Sequence, residues 1–234
     1  LVGSEMCIRD RYHMKCGATF KMKTYNTFVF TSQPEWDKVP VASIDSFHWE
    51  KETFVRPRSY AKLCAVEGKG FYARLWSFEK DVRAVFENRD EPVYRDSCLE
   101  FFMCPFENST VPYINFEMNS KGVILSEYGT GRGKERTRLA ALSEEAPEVS
   151  VFTVSENGET AWGVSLFVSE KLMSDITETD FKIRPMTLRG NFYKCGDDTP
   201  IPHFGAFSPV GPVEKGFHNP ELFANLVFSY PCED

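Results

Sequence analysis

The chain has 234 residues, 15% of them aromatic, with a formal net charge of −7 and a pI near 5.3. That length suits one large domain with a substantial buried core, and the acid excess excludes an electrostatic nucleic-acid footprint. No run approaches the 18 or more apolar residues that a membrane-spanning helix needs.

In chain order, residues 1–11 (LVGSEMCIRDR) resemble translated sequencing-adapter sequence. This predicts a non-native leader over 1–13, a native start at Met14 and one domain over 14–234, with no apolar h-region of a signal peptide at the start. Residues 34–44, with Trp36, read as a loop running over the body. Short runs rich in Val, Ile, Phe and Tyr then recur between turn signals, at 27–31, 59–66, 70–78, 97–104, 113–118, 123–127, 149–155, 161–168, 181–193 in one or two pieces, and 222–228. Glu67-Gly68-Lys69-Gly70, Asn119-Ser120-Lys121-Gly122 and Asn157-Gly158 supply the turn chemistry between them. The stretch 132–147 lacks strand character and reads as a mobile loop or a helical turn, its basic run RGKERTR solvated. One short helix is predicted over 169–176, capped by Ser169. About ten strands and one helix predict an all-β fold, a two-sheet, mostly antiparallel β-sandwich of the immunoglobulin-like or jelly-roll type.

Seven cysteines (Cys7, Cys16, Cys64, Cys98, Cys104, Cys195 and Cys232) are scattered and form no CxxC pair. Free thiols in a reducing compartment are expected over a disulfide framework or a structural zinc site, and with no signal peptide visible a cytoplasmic address is favoured.

Side chains alternate between the two faces of a strand. Four predicted strands divide in the same way, into an apolar row and a row that mixes aromatics with Arg, Asn and Glu. The mixed rows are Tyr72, Arg74 and Trp76; Cys98, Glu100 and Phe102; Tyr113, Asn115 and Glu117; and Thr187, Arg189, Asn191 and Tyr193. If these strands share a sheet, the mixed rows line one amphipathic face. Sugars suit such a face, because their C–H surfaces pack on aromatic rings while their hydroxyls pair with Arg, Asn and Glu.

Catalysis has weaker support. A glycosidase needs two carboxyl groups roughly 5–10 Å apart, whereas Asp96 and Glu100 would stand about 13 Å apart along one strand. Glu100 and Glu117 come closer if their strands are neighbours, but no motif marks them as an acid and base pair. No GxSxG elbow occurs, and His13, His48, His203 and His218 have no Ser or Cys at a telling position. The GTGRGK run at 129–134 lacks the spacing and following helix of a phosphate loop. A haem site would need an axial His or Met pair on the face, but Met118 falls in an apolar row and His203 in a loop. A structural or protein-interaction module is the alternative to sugar binding.

Residues 92–105 (PVYRDSCLEFFMCP), 186–193 (MTLRGNFY), 203–210 (HFGAFSPV) and 217–228 (FHNPELFANLVF) resemble the family 9 carbohydrate-binding modules and their uncharacterised bacterial relatives. The resemblance runs from Trp49 to Phe228. It implies a β-sandwich that binds a mono- or oligosaccharide end without catalysis, as a monomer, with no cofactor beyond structural calcium. Asp96 and Glu100 fall at acidic positions of the pattern, and Ser165 stands where relatives often carry Glu. Trp76 would be one sugar-clamping aromatic, Arg189 and Asn191 polar contacts, and Phe207, in place of a Trp, the second aromatic. For calcium no oxygen cluster is specific enough to name, since Asp197 and Asp198 read as turn formers. The expected face is therefore Tyr72, Arg74, Trp76, Glu100, Asn115, Arg189 and Asn191, overhung by Phe207.

Overall fold

The computed structural model describes residues 22–211, 214 and 216–232, so the expectations for the leader, for Met14 and for Cys7, Cys16 and His13 lie outside the described residues. Its strands are β1 Thr24–Phe30, β2 Ala42–Ser43, β3 Ser46–Phe47, β4 Arg58–Val66, β5 Gly70–Phe78, β6 Cys98–Cys104, β7 Tyr113–Asn119, β8 Ile124–Gly129, β9 Arg136–Arg138, β10 Glu148–Glu156, β11 Glu159–Ser169, β12 Met186–Cys195, β13 Phe204–Ala206 and β14 Ala224–Ser229. Among the described residues one α-helix, α1 Glu170–Thr177, follows β11, with Ser169 capping it by accepting the Leu172 N–H at 3.0 Å.

The strands run in the order β10-β11-β5-β4-β1-β14-β12-β6-β7-β8-β9. β1 joins the two halves. It lies parallel to β14 from Thr24 opposite Asn225 to Phe28 opposite Ser229, then parallel to β4 at Val29 and Phe30. The other pairings are antiparallel. The chain is thus mostly β and mostly antiparallel in its pairings, as expected, and its strands form one strongly curled, mixed sheet.

Local sequence explains the hairpins. Asn157 and Gly158, at φ 51° and 82°, supply the paired left-handed residues that a tight β10–β11 turn requires. At the β4–β5 turn a Cβ on Gly70 would come within 2.0 Å of the Val168 carbonyl oxygen, so only glycine fits.

The curl closes over one core. Leu63 of β4, Phe71, Ala73 and Leu75 of β5, and Val164 and Leu166 of β11 meet Leu99 and Phe101 of β6, Phe116 of β7, Phe192 of β12 and Phe228 of β14. Phe192 stacks on Phe101 at 5.2 Å and receives the edge of Tyr25 at 5.7 Å. On the opposite surface of β6, β7 and β12 a second apolar cluster joins Cys98, Phe102, Tyr113 and Tyr193 to Val93, Val210, Phe217 and Phe223 from the loops. Tyr193 and Phe217 stack there at 4.2 Å.

Truncating Phe192 to alanine empties the centre of the main core, and such a change costs about 3–5 kcal/mol. Urea unfolding of Phe192→Ala should show that loss as a lower midpoint with an unchanged m-value.

Candidate functional site

The curl separates the expected site residues into two groups. Tyr72, Arg74 and Trp76 sit on the outer surface of β5, in the half built from β4, β5, β10 and β11. Glu100, Asn115 and Asn191 sit on the outer surface of the β6–β7–β12 half. Four strands, β4, β1, β14 and β12, intervene between β5 and β6, and both inner rows feed the same core. The two outer surfaces therefore face away from each other, and the single face expected from the sequence does not form.

Among the described residues the β5 surface is open. Burial alternates along the strand, leaving Tyr72, Arg74, Trp76 and Phe78 half-buried. Trp76 lies opposite Tyr60 of β4, the rings 5.5 Å apart and tilted by 30°. Tyr72 packs on Phe167 of β11 at 4.6 Å. Between these pairs the Arg74 guanidinium lies 4.3 Å from the Trp36 ring centroid and 5.8 Å from that of Phe152. Lys62 donates to the Trp36 carbonyl, which ties the 34–41 loop to this surface. Ser165 stands directly opposite Arg74. The result is an aromatic strip with two cations and a hydroxyl among its rings. Tyr60, Trp36, Phe152 and Phe167 extend the expected site. Their signal was available for Tyr60, whose predicted strand has its own outer row, but not for Trp36, which reaches the strip from a loop.

The β6–β7–β12 surface is covered. Asn191 is spent on the chain itself: its Nδ2 donates to the Ser208 carbonyl at 2.8 Å, and its Oδ1 accepts the Ser208 N–H at 2.8 Å. Arg189 donates to the carbonyls of Phe223 and Glu221 at 3.1 Å. Asn115 accepts from Arg136 and donates to Glu117 at 2.9 Å. Phe207 is 8% exposed and belongs to the main core, between the edges of Tyr25 and Phe192 with Lys23 over its ring, so it does not overhang a face. Arg189 and Asn191 of the RGNFYK motif thus clamp Ser208, Glu221 and Phe223 onto the sheet. Arg136, expected in a solvated run, is 9% exposed. Its guanidinium also donates to the carbonyls of Tyr113, Glu127, Gly129 and Gly131 and lies 4.2 Å over the Tyr113 ring.

Beneath this cover Glu100 and Glu117 stand directly opposite one another. Burial, with Glu117 beside it, pushes the Glu100 carboxyl well above its ordinary range, and burial pushes Glu117 up to about 7. The ligand atoms of Cys98, Glu100 and Cys195 lie within 4.8 Å of one another. Two thiols do not suit calcium, a hard cation that takes oxygen ligands. Asp197 and Asp198 lie in a turn as expected, and the Asp198 carboxylate accepts from Arg95 at 2.8 Å. Asp96 holds the 83–97 loop by accepting the backbone N–H groups of Val85 and Phe86.

A cleft of ≈ 510 Å³ opens at the rim of the cover, lined among others by Thr110, Arg132, Glu135, His218, Asn219 and Glu221. Asn219, 6% exposed, has an unpartnered Oδ1 there. Nδ1 of His218 lies 2.8 Å from the Tyr113 hydroxyl. Burial, then the charges of Arg136 and Arg132, lowers the pKa of His218 to about 3.

The family model described as carbohydrate-binding family 9 matches residues 32–228. No curated protein sequence is similar enough to this chain to count as a match. Among solved structures, a candidate carbohydrate-binding protein from Bacteroides uniformis is similar at 24% identity and a TM-score of 0.71, covering 89% of this chain and 100% of that one. A family 9 carbohydrate-binding module from Caldicellulosiruptor kristjanssonii, in complex with glucose, is similar at 10% identity and a TM-score of 0.55, covering 89% and 98%. The cellotriose complex of a module from the same organism gives 10% and 0.53, covering 89% and 95%. At these identities the likeness is one of fold.

His218 must stay neutral in the folded chain, whereas in the unfolded chain it takes up a proton below about pH 6.5. Its stabilising effect is complete above that pH and is lost as pH falls towards 3. Thermal unfolding between pH 7 and pH 4.5 should therefore fall less steeply in His218→Gln than in the parent, by about 2–3 kcal/mol at the acid end.

Proposed function

The chain belongs to carbohydrate-binding family 9, and from that premise we propose that it binds the end of a mono- or oligosaccharide, without cleaving it, on the open surface of β5. The observation that carries this reading is the half-buried Trp76–Tyr60 pair with Arg74 beside it. The rings offer apolar area to the C–H face of a sugar ring, while Arg74, Lys62 and Ser165 offer polar partners for its hydroxyls. In this reading the two halves of the curled sheet act as the layers of a sandwich, with the sugar on the outside of one. Glu100, Asn115, Arg189, Asn191 and Phe207 support the fold and do not touch the ligand. The chain works as a monomer.

Burial of the carboxylates supports a non-catalytic role. Glu100 and Glu117 have the pairing that glycoside hydrolysis uses, but they are 2% and 4% exposed and lie under the loop cover, where a glycosidic bond has no access. A second location is favoured by the free Oδ1 of Asn219, which points to the polar cleft as a hydroxyl-binding pocket. The open strip is preferred because none of the side chains lining that cleft is a Trp, Tyr or Phe.

Sites of this type bind with a Kd on the order of micromolar to millimolar, about −8 to −4 kcal/mol. A thermal-shift series with glucose and cellotriose should raise the melting temperature, by the equivalent of about 2.7 kcal/mol at a hundred times Kd. Trp76→Ala should lose that response at a cost of about 1–2 kcal/mol in stability, mostly its ring contact with Tyr60. A response that persists in Trp76→Ala and disappears in Asn219→Ala would move the site to the cleft. A flat response to every sugar tried would sink the reading and leave the strip as a protein-interaction surface.

A further inference from the structure

The covered surface of β6, β7 and β12 holds a set of side chains that sugar binding does not use. Cys98 and Cys195 are register partners across β6 and β12, and Glu100 lies two residues along β6 on the same face. Glu117 of β7 is the register partner of Glu100. The Cys195 thiol donates to Glu100 Oε1 at 2.9 Å, and the ligand atoms of Cys98, Glu100 and Cys195 are mutually within 4.8 Å. Glu117 accepts from Asn115 through Oε1, while its Oε2 is buried with no partner.

Four groups that become anions are thus gathered in the interior. The cations nearest in the chain are engaged elsewhere. Lys194 belongs to the inner row of β12, where it meets Glu79 at 3.2 Å and His203 at 2.8 Å. Arg136 is held by Asn115, Glu127 and backbone carbonyls. Buried anions need pairing or a metal, and an unpartnered buried carboxylate oxygen is a polar atom that the protein itself leaves unsatisfied.

We propose that Cys98, Cys195 and Glu100 form a structural site for a thiophilic divalent metal such as Zn²⁺, with Glu117 supplying the fourth ligand through its free oxygen. A tetrahedral zinc with bonds of ~2.3 Å to sulfur and ~2.0–2.2 Å to oxygen sets its ligand atoms roughly 3.4–3.8 Å apart. The Cys195 Sγ to Glu100 Oε1 distance of 2.9 Å is already inside that spacing and the other pairs of these three atoms lie within 4.8 Å, so the site asks for rotation of these side chains and for Glu117 to swing towards them from its position opposite Glu100. Two thiolates and a carboxylate select zinc over calcium or magnesium. On binding, the thiols of Cys98 and Cys195 and the carboxyl of Glu100 release their protons to solvent. The metal would cross-link β6, β7 and β12 beneath the 83–97 loop, where Cys195 Sγ already contacts the Tyr94 carbonyl. The compact spacing that sequence-level recognition of zinc sites relies on is absent because the two cysteines are 97 residues apart in the chain and meet only through sheet register.

The test uses the full chain carrying Cys7→Ser, Cys16→Ser and Cys232→Ser, reduced with a phosphine, freed of metal by a chelator and titrated with Co²⁺. One equivalent should bind with the near-ultraviolet thiolate-to-cobalt band, be displaced by Zn²⁺, and raise the melting temperature. Cys98→Ser and Cys195→Ser should each abolish the band, and Glu100→Gln should weaken Co²⁺ at least tenfold, with far-ultraviolet circular dichroism verifying their metal-free fold. Absence of the band in the parent overturns the proposal, as does a band undiminished in the cysteine variants. Should those variants fail to fold, zinc-edge X-ray absorption of the parent decides. A shell of two sulfurs and two light atoms supports the site, and a shell without sulfur overturns it.

Discussion

Parallel pairing of β1 with both β14 and β4 is the constraint from which the molecule's geometry follows. A strand that leaves one neighbour for another partway along its length forces the sheet to turn on itself. Side chains of β1 reinforce the turn. The Tyr25 hydroxyl donates to the Pro40 carbonyl at 2.6 Å and accepts the Leu63 N–H at 3.1 Å, and the Thr27 hydroxyl donates to the Leu63 carbonyl. Once the turn is made, the inner rows of both halves face each other and bury a common core. The outer rows then point in opposite directions, and each half meets water on its own terms.

The two halves resolve that exposure differently. On the β6–β7–β12 half the loops fold down, and the polar side chains beneath them are pressed to find partners, because an unpaired buried group costs about 1–3 kcal/mol. Asn191, Arg189 and Asp96 meet that requirement by bonding the backbone of the loops that bury them, and Arg136 by bonding the carbonyls of β7, β8 and Gly131. Side chains that look like ligand contacts on a bare strand are thereby spent as clamps. On the β4–β5 half, among the described residues, the 34–41 loop reaches the surface and the aromatic rings are half-covered by one another.

This difference also sets what could be read from the sequence. The alternation in GFYARLWSF is visible in the residues themselves, and β5 has the bounds and the inner and outer rows that the pattern predicts. Ser169 caps the helix because the cap is a local event. The same period-2 pattern in CLEFFMC predicts one wet face, yet all seven residues of β6 are buried. Alternation records which residues share a face; it carries no information about whether distant segments cover that face. Phe207 illustrates the limit again, since its role depends on Tyr25 and Phe192, far away in the chain. Arg136 does too: Arg132, Gly133, Glu135 and Thr137 beside it in the basic run are exposed and Arg138 is half-buried, while Asn115 and the carbonyls of four other residues make Arg136 an interior residue.

Separating the open strip from the covered surface has an energetic consequence for binding. A ligand site held by loops must order them, which subtracts from affinity, whereas rings already packed on one another lose little freedom when a ligand arrives. Trp76 is steadied by Tyr60, Tyr72 by Phe167, and Arg74 by Trp36 on one side and Phe152 on the other. The strip is preorganised by the same contacts that keep its rings partly dry. On the proposed reading, specificity then rests on the polar atoms between the rings, those of Arg74, Lys62 and Ser165, and not on the carboxylates of the other half. A change of sugar preference would require substitutions at those three positions alone, leaving β1, the core and the clamped loops as they are.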